Sequence, residues 1–78
     1  MKKVVVITGA TDGVGRALAK ILSKEYDLAL CGRSDEKMDA LLDELGDCHV
    51  YHECFDITDD HRRHAFGEHV KAEFGTVD

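Results

Sequence analysis

Three glycines, Gly9, Gly13 and Gly15, follow directly on the apolar stretch KVVVIT at residues 3–8. Glycine weakens any regular element it interrupts, so a cluster of them after a strand-like run points to a backbone that must approach something closely. A strand, a glycine-rich turn and a helix starting near Val14 bring unsatisfied first-turn N–H groups and the positive end of a helix dipole to one place. That combination makes an anion site. In such an arrangement Gly9 permits the tight exit from the strand, Gly13 lets a pyrophosphate approach the backbone, and Gly15 lets the helix pack closely on the sheet. Thr11, Asp12 and Val14 complete the turn.

The elements that must position this turn are legible as changes of apolar period. Residues 3–8 are a β-branched apolar run suited to a strand buried on both faces. Val14, Ala17, Leu18, Ile21 and Leu22 then form one stripe of an amphipathic helix, and DLALCG at 27–32 is a second short strand. A second helix has Ser34 as N-cap, Asp35 and Glu36 at the positive end of its dipole, and Gly46 just past its last turn. Its expected buried stripe is Met38, Leu41, Leu42 and Leu45. The third strand is expected over 49–55, and the third helix from Thr58 as N-cap to about residue 73, with Gly75 as its stop and Phe66, Val70 and Phe74 on its apolar face. The sum is β-α-β-α-β-α. It predicts an α/β fold, a partial Rossmann fold with a three-stranded parallel sheet in the order 3-2-1, the first two helices on one face and the third on the other.

Composition narrows the function classes. Seventy-eight residues make one small domain, and a net charge of -6 disfavours nucleic acid and anionic membranes as partners. The apolar run after Lys2 and Lys3 is too short for a signal peptide and no run is long enough to span a bilayer, so a cytoplasmic location is expected. Cys31, Cys48 and Cys54 are expected as reduced, buried thiols. Five histidines invite a metal reading, but His49 and Cys54 have opposite parity on one strand and no four-ligand spacing exists, so no metal site is expected.

The turn reads Thr8-Gly9-Ala10-Thr11-Asp12-Gly13-Val14-Gly15, a TGxxxGxG pattern. In this the chain resembles the short-chain dehydrogenase/reductase family, and CGRS at the end of the second strand, FDIT after the third and the closing FGTVD resemble family features in the expected order. The resemblance implies a dinucleotide cofactor. An acidic residue ending the second strand would bind the ribose hydroxyls of NAD and repel the extra phosphate of NADP. Here Gly32 stands at that place, followed by Arg33, whose planar fork suits a 2′-phosphate, and Ser34, which can donate a hydroxyl. Arg16 is expected to add positive charge, so NADP(H) is preferred, with NAD(H) possible. The competing role for Arg33 is a solvated strand end paired with Asp35. Asp56 resembles the family's aspartate that accepts a hydrogen bond from the adenine amino group, with Ile57 lining the adenine pocket; its competing role is to start a turn.

The family's chemistry, hydride transfer between the nicotinamide and a carbonyl or alcohol, is implied to need a tyrosine, a lysine four residues on, a serine and an asparagine. Tyr26 is followed four residues later by Leu30 and Tyr51 by Phe55, so no YxxxK occurs and no catalytic residue can be assigned. Residues 1–78 are therefore expected to be the N-terminal, cofactor-binding part of a Rossmann domain cut before its fourth strand, catalytically silent by itself, with a small-molecule substrate bound by the full-length parent. The alternative is a non-catalytic nucleotide-binding or sensing module. Without a fourth strand the edge of the first is exposed and the third helix loses part of the sheet it would cover, which predicts self-association or a homo-oligomer through that edge, or partial disorder of residues 58–78.

Overall fold

Valine and isoleucine, whose branched side chains suit a pleated surface, fill the first strand, β1 (Val4–Thr8). The computed structural model describes residues 3–75 and continues the alternation with α1 (Gly13–Leu22), β2 (Asp27–Gly32), α2 (Asp35–Leu45), β3 (Val50–Cys54) and α3 (Asp60–Phe74). All strands run parallel. Val4 to Thr8 pair in register with Asp27 to Cys31, and Leu28 to Gly32 with Val50 to Cys54. The order β1-β2-β3 is the expected 3-2-1 read from the other edge. Central β2 is buried from Leu28 to Gly32 and alternates its side chains between two cores.

On one face Leu28, Leu30 and Ile7 pack with Ala19 of α1 and Met38, Leu41 and Leu45 of α2. On the other, Val4, Ala29, Cys31 and Phe55 pack with Phe66 and Val70 of α3. Helix α2 forms as its sequence predicts: the Ser34 hydroxyl accepts from the Lys37 N–H at 3.2 Å, and Gly46 ends the helix with φ 62°.

The stripe expected to bury α1 faces solvent instead. Val14, Leu18 and Ile21 are 83, 42 and 66% exposed, whereas Ala19 is fully buried and Leu22 packs in part. The reason is steric. Gly15 lies so close to the turn that an added Cβ would stand 2.9 Å from the Gly9 carbonyl carbon, so the helix presents its edge of small residues, Gly15 and Ala19 at i and i+4, to the sheet.

The N-cap of α3 is also displaced from the expected Thr58. Thr58 donates both its N–H and its hydroxyl to Asp56 Oδ1, at 2.9 and 2.7 Å, so a tight turn takes it up. Asp59 caps the helix in its place, accepting from the Arg62 N–H at 3.1 Å. Phe66, Val70 and Phe74 do pack against the sheet, and Gly75 ends the helix with its N–H on the Lys71 carbonyl at 2.7 Å. No described helix is long and apolar enough to cross a membrane.

Candidate functional site

The C-terminal ends of the parallel strands bring the two βα turns side by side, where α/β sheets of this kind bind their ligands. The first turn is held by the Ala10 N–H on the Cys31 carbonyl at 3.0 Å and the Asp12 N–H on the Gly9 carbonyl at 3.2 Å. Gly9 and Gly13 have φ of 65° and 36°, which L side chains rarely adopt, and nothing stands within 4 Å of where either would carry a Cβ. The backbone at Gly13, first residue of α1, is thus open to an approaching group at the positive end of the helix. Thr11 is 4% exposed and lies under the turn against Gly32. Val14 projects outward from the same turn.

Asp12 is the N-cap of α1 by backbone conformation, yet its side chain makes no capping bond. Its Oδ1 instead accepts from Lys37 Nζ, in the first turn of α2, at 3.1 Å. No sequence spacing rule links residues 12 and 37; the contact exists because parallel pairing sets the two turns beside each other. Arg16, expected to add positive charge beside Arg33, points elsewhere: it pairs with Glu44 at 2.7 Å, and this hydrogen bond holds the Glu44 carboxyl below its ordinary range.

At the second turn Arg33 is exposed, and its charge acts on Asp56. Ser34 keeps its hydroxyl proton while accepting the Lys37 N–H, so it can still donate. The Phe55 N–H meets the Gly32 carbonyl at 2.8 Å and carries the chain to Asp56. The Thr58 N–H and hydroxyl hold the Asp56 carboxyl below its usual range, and the charge of Arg33 acts in the same direction. Asp56 therefore does start a turn, through Oδ1. Ile57 is half-buried against the α3 core.

Of the cysteines, all expected to be buried, only Cys31 is; Cys48 and Cys54 lie at the margin of the core and are half-buried. Burial, and then the Asp35 carboxylate, push the Cys54 thiol up to about 11, and burial raises Cys31. His49 reaches α3, its Nε2 2.8 Å from Glu73 Oε2, whereas Cys54 packs on the opposite face, as their parity requires. Among the described residues no group of three or more His, Cys, Asp or Glu could hold a metal ion.

Known proteins share this arrangement. The chain is 32% identical to the benzil reductase ((S)-benzoin forming) of Saccharomyces cerevisiae, over 100% of its own length and 31% of that protein's. A metagenomic short-chain oxidoreductase in complex with NADP superposes with a TM-score of 0.86 at 30% identity, over 97% of this chain and 36% of the other. A short-chain dehydrogenase/reductase from Burkholderia phymatum in complex with NAD superposes with a TM-score of 0.90 at 28% identity, over 97% of this chain and 28% of the other. The curated relatives that align with 97% or more of the chain are themselves spanned only to 29–33% of their length. With the short chain dehydrogenase family model matching residues 3–78, the glycine turn and its supporting sheet identify the chain as a member of the short-chain dehydrogenase family of oxidoreductases.

Proposed function

We propose that residues 1–78 are the NADP(H)-binding N-terminal part of a short-chain oxidoreductase, in a dinucleotide-binding domain whose further strands and substrate pocket lie outside them. The observation that carries this reading is the open backbone at Gly13 on the N-terminus of α1, beside a β2 end that has glycine at 32 and presents Arg33 and Ser34. The residues present fit a dinucleotide. Gly9, Thr11, Asp12, Gly13, Val14 and Gly15 form the pyrophosphate turn; Arg33 and Ser34 take the 2′-phosphate; Asp56, through the carboxylate oxygen its turn leaves free, and Ile57 flank the adenine. The bound cofactor supplies the hydride donor or acceptor.

Relatives in complex with NADP and with NAD share the fold, so the preference rests on this chain's own charges. A guanidinium that loses its phosphate partner gives up about 1.5–3 kcal/mol. Calorimetric titration with NADPH and NADH is therefore expected to show NADPH bound more tightly, and Arg33→Ala to lose most of that margin while leaving NADH affinity in place. Equal affinities in the unaltered protein would refute the preference.

Neither tyrosine is followed at four residues by a lysine, which supports a segment that holds the cofactor without completing the proton transfer that hydride transfer requires. Reduction of a carbonyl by residues 1–78 with NADPH would refute that silence. The second edge of β1 has no strand partner among the described residues. A groove of about 290 Å³ beside it, lined by Val6, Thr8, Ile57, Phe66, Val70 and Lys71, supports association through that edge. Light scattering over a concentration series, with Val6→Lys as the disrupting variant, measures it.

A further inference from the structure

We infer that Thr11 sets the cofactor choice sterically, by filling the space that any side chain at position 32 would need; this rests on the NADP(H) reading above. Gly32 is the last residue of β2 and is buried. A Cβ built on it would stand 2.8 Å from Thr11 Cγ2, 2.8 Å from Thr11 Oγ1 and 3.3 Å from Thr11 Cβ. Carbon atoms in ordinary contact are about 3.5–4.0 Å apart, so the two side chains cannot both be present as the turn now stands.

Thr11 has little room to step aside. It is 4% exposed and follows Ala10, which is fully buried and tied through its N–H to the Cys31 carbonyl at 3.0 Å. Its branched Cβ makes rotation unhelpful too, because the two atoms at the end of that rotation both crowd the same point. The turn itself cannot lift away, since Gly9 and Ala10 already lie against Gly15 of α1.

The consequence is selective. A carboxylate at the end of β2 is the group that would hydrogen-bond the ribose hydroxyls of an unphosphorylated cofactor and repel a 2′-phosphate. With Thr11 in the turn, position 32 must remain glycine, and Arg33 faces the ribose without an acidic neighbour at 32. Preference is thus written twice, once in the arginine that attracts the phosphate and once in the threonine that excludes its competitor. Thr11 is a positioning residue in this role, acting through Gly32.

The test is a double-mutant cycle in the complete protein. Cofactor-free thermal melts compare Thr11→Ala, Gly32→Ala and the pair, and titrations with NADPH and NADH compare Gly32→Asp with and without Thr11→Ala. Gly32→Ala alone is expected to lower Tm by about 2–4 °C, and to lower it by less than half as much when residue 11 is alanine. Gly32→Asp with Thr11→Ala is expected to favour NADH about tenfold more than Gly32→Asp alone. Additive melts, or a Gly32→Asp single variant that turns to NADH as fully as the pair, would overturn the inference while NADPH binding by the unaltered protein stood. An unaltered protein that binds NADH as tightly as NADPH would overturn the cofactor reading, and selection by Thr11 with it, even where the melts are coupled.

Discussion

On the α1–α2 face of the sheet the contacts are aliphatic and close: Ala19, Met38, Leu41 and Leu45 press on Leu28 and Leu30, and Gly15 brings α1 against the turn. The α3 face is aromatic and partly ionic. Phe66 packs between Phe55 and Tyr51 at ring separations of 5.7 and 6.1 Å, His49 lies 4.7 Å from the Phe74 ring, and Arg62 covers Phe55 at 5.4 Å. Two histidine–carboxylate contacts tie α3 to β3 and to the residue before it, His69 to Glu53 at 2.6 Å and His49 to Glu73 at 2.8 Å. The difference teaches that the ligand turn is placed by missing side chains and the far helix by added ones. At Gly15 and Gly32 the first face leaves no room for a Cβ; the second half-buries a hydrogen-bonded pair of titratable groups, Tyr51 and Glu53.

Truncation should separate the two faces most strongly. Phe66→Ala removes the ring on which the α3 face is built and is expected to cost about 3–5 kcal/mol, and Leu41→Ala about 2–5 kcal/mol, both read from denaturant melts. If the faces are independent, the two losses add, as sites without shared partners do. A smaller effect comes from growth on the tight face. Gly15→Ala forces a methyl against the Gly9 carbonyl and should cost about 1–3 kcal/mol, with loss of dinucleotide binding by calorimetry, because the turn and α1 must part.

The α3 face should then show its own dependence on pH at both ends of the scale. Burial alone would raise the Glu53 carboxyl, but hydrogen bonds from Tyr51 and His69 outweigh it and hold it below its ordinary value of 4.5. Its contribution is present above that value and is lost as pH falls through the lowered one. Glu53→Gln should therefore differ most from the unaltered protein near neutrality and converge with it in acid, in melts taken from pH 7 downward. Burial first, and then the bond to Glu53, push the Tyr51 hydroxyl from 10.0 up to about 12. That contribution is complete below pH 10 and is lost towards pH 12, so Tyr51→Phe should flatten the alkaline limb of the same curve. Neither variant should alter a pH profile measured on Leu41→Ala differently from one measured on the parent. The smallest expected effects are at the caps: Ser34→Ala and Asp59→Ala should each cost about 1 kcal/mol, one on each face, by thermal melting.

Much of this was written in local pattern. Helix α2 was legible because its cap at Ser34, its acidic first turn, its stripe and its closing Gly46 all agree, and each is a local signal. The glycine turn and the parallel order followed from the alternation of elements. What the pattern could not show is which neighbour an element faces. The periodicity of α1 marked Val14, Leu18 and Ile21 as one apolar side, yet the sheet is met by Gly15 and Ala19, whose virtue is their small size. Arg16, expected to add positive charge at the 2′-phosphate, is drawn by the fold to Glu44 at the far end of α2. Thr58 and Asp59 are both good caps, and only the bonds from Thr58 to Asp56 decide between them. The Thr11–Gly32 contact is between residues distant in sequence, and no composition signals it.

The spatial order of the strands is also their order along the chain, with β2 between its two sequence neighbours. Strands β2 and β3 therefore each meet a partner that has already been synthesised, across a connection built on one helix, and each closure costs little entropy. A ribosome delivering this segment at an ordinary pace gives every strand time to find its mate before the next emerges. The glycine turn, at the front, is assembled with the second strand rather than after the whole domain. Vectorial synthesis thus runs in the same direction as the assembly of the first turn, whereas Lys37 and Phe55, which meet Asp12 and the Gly32 carbonyl, arrive later.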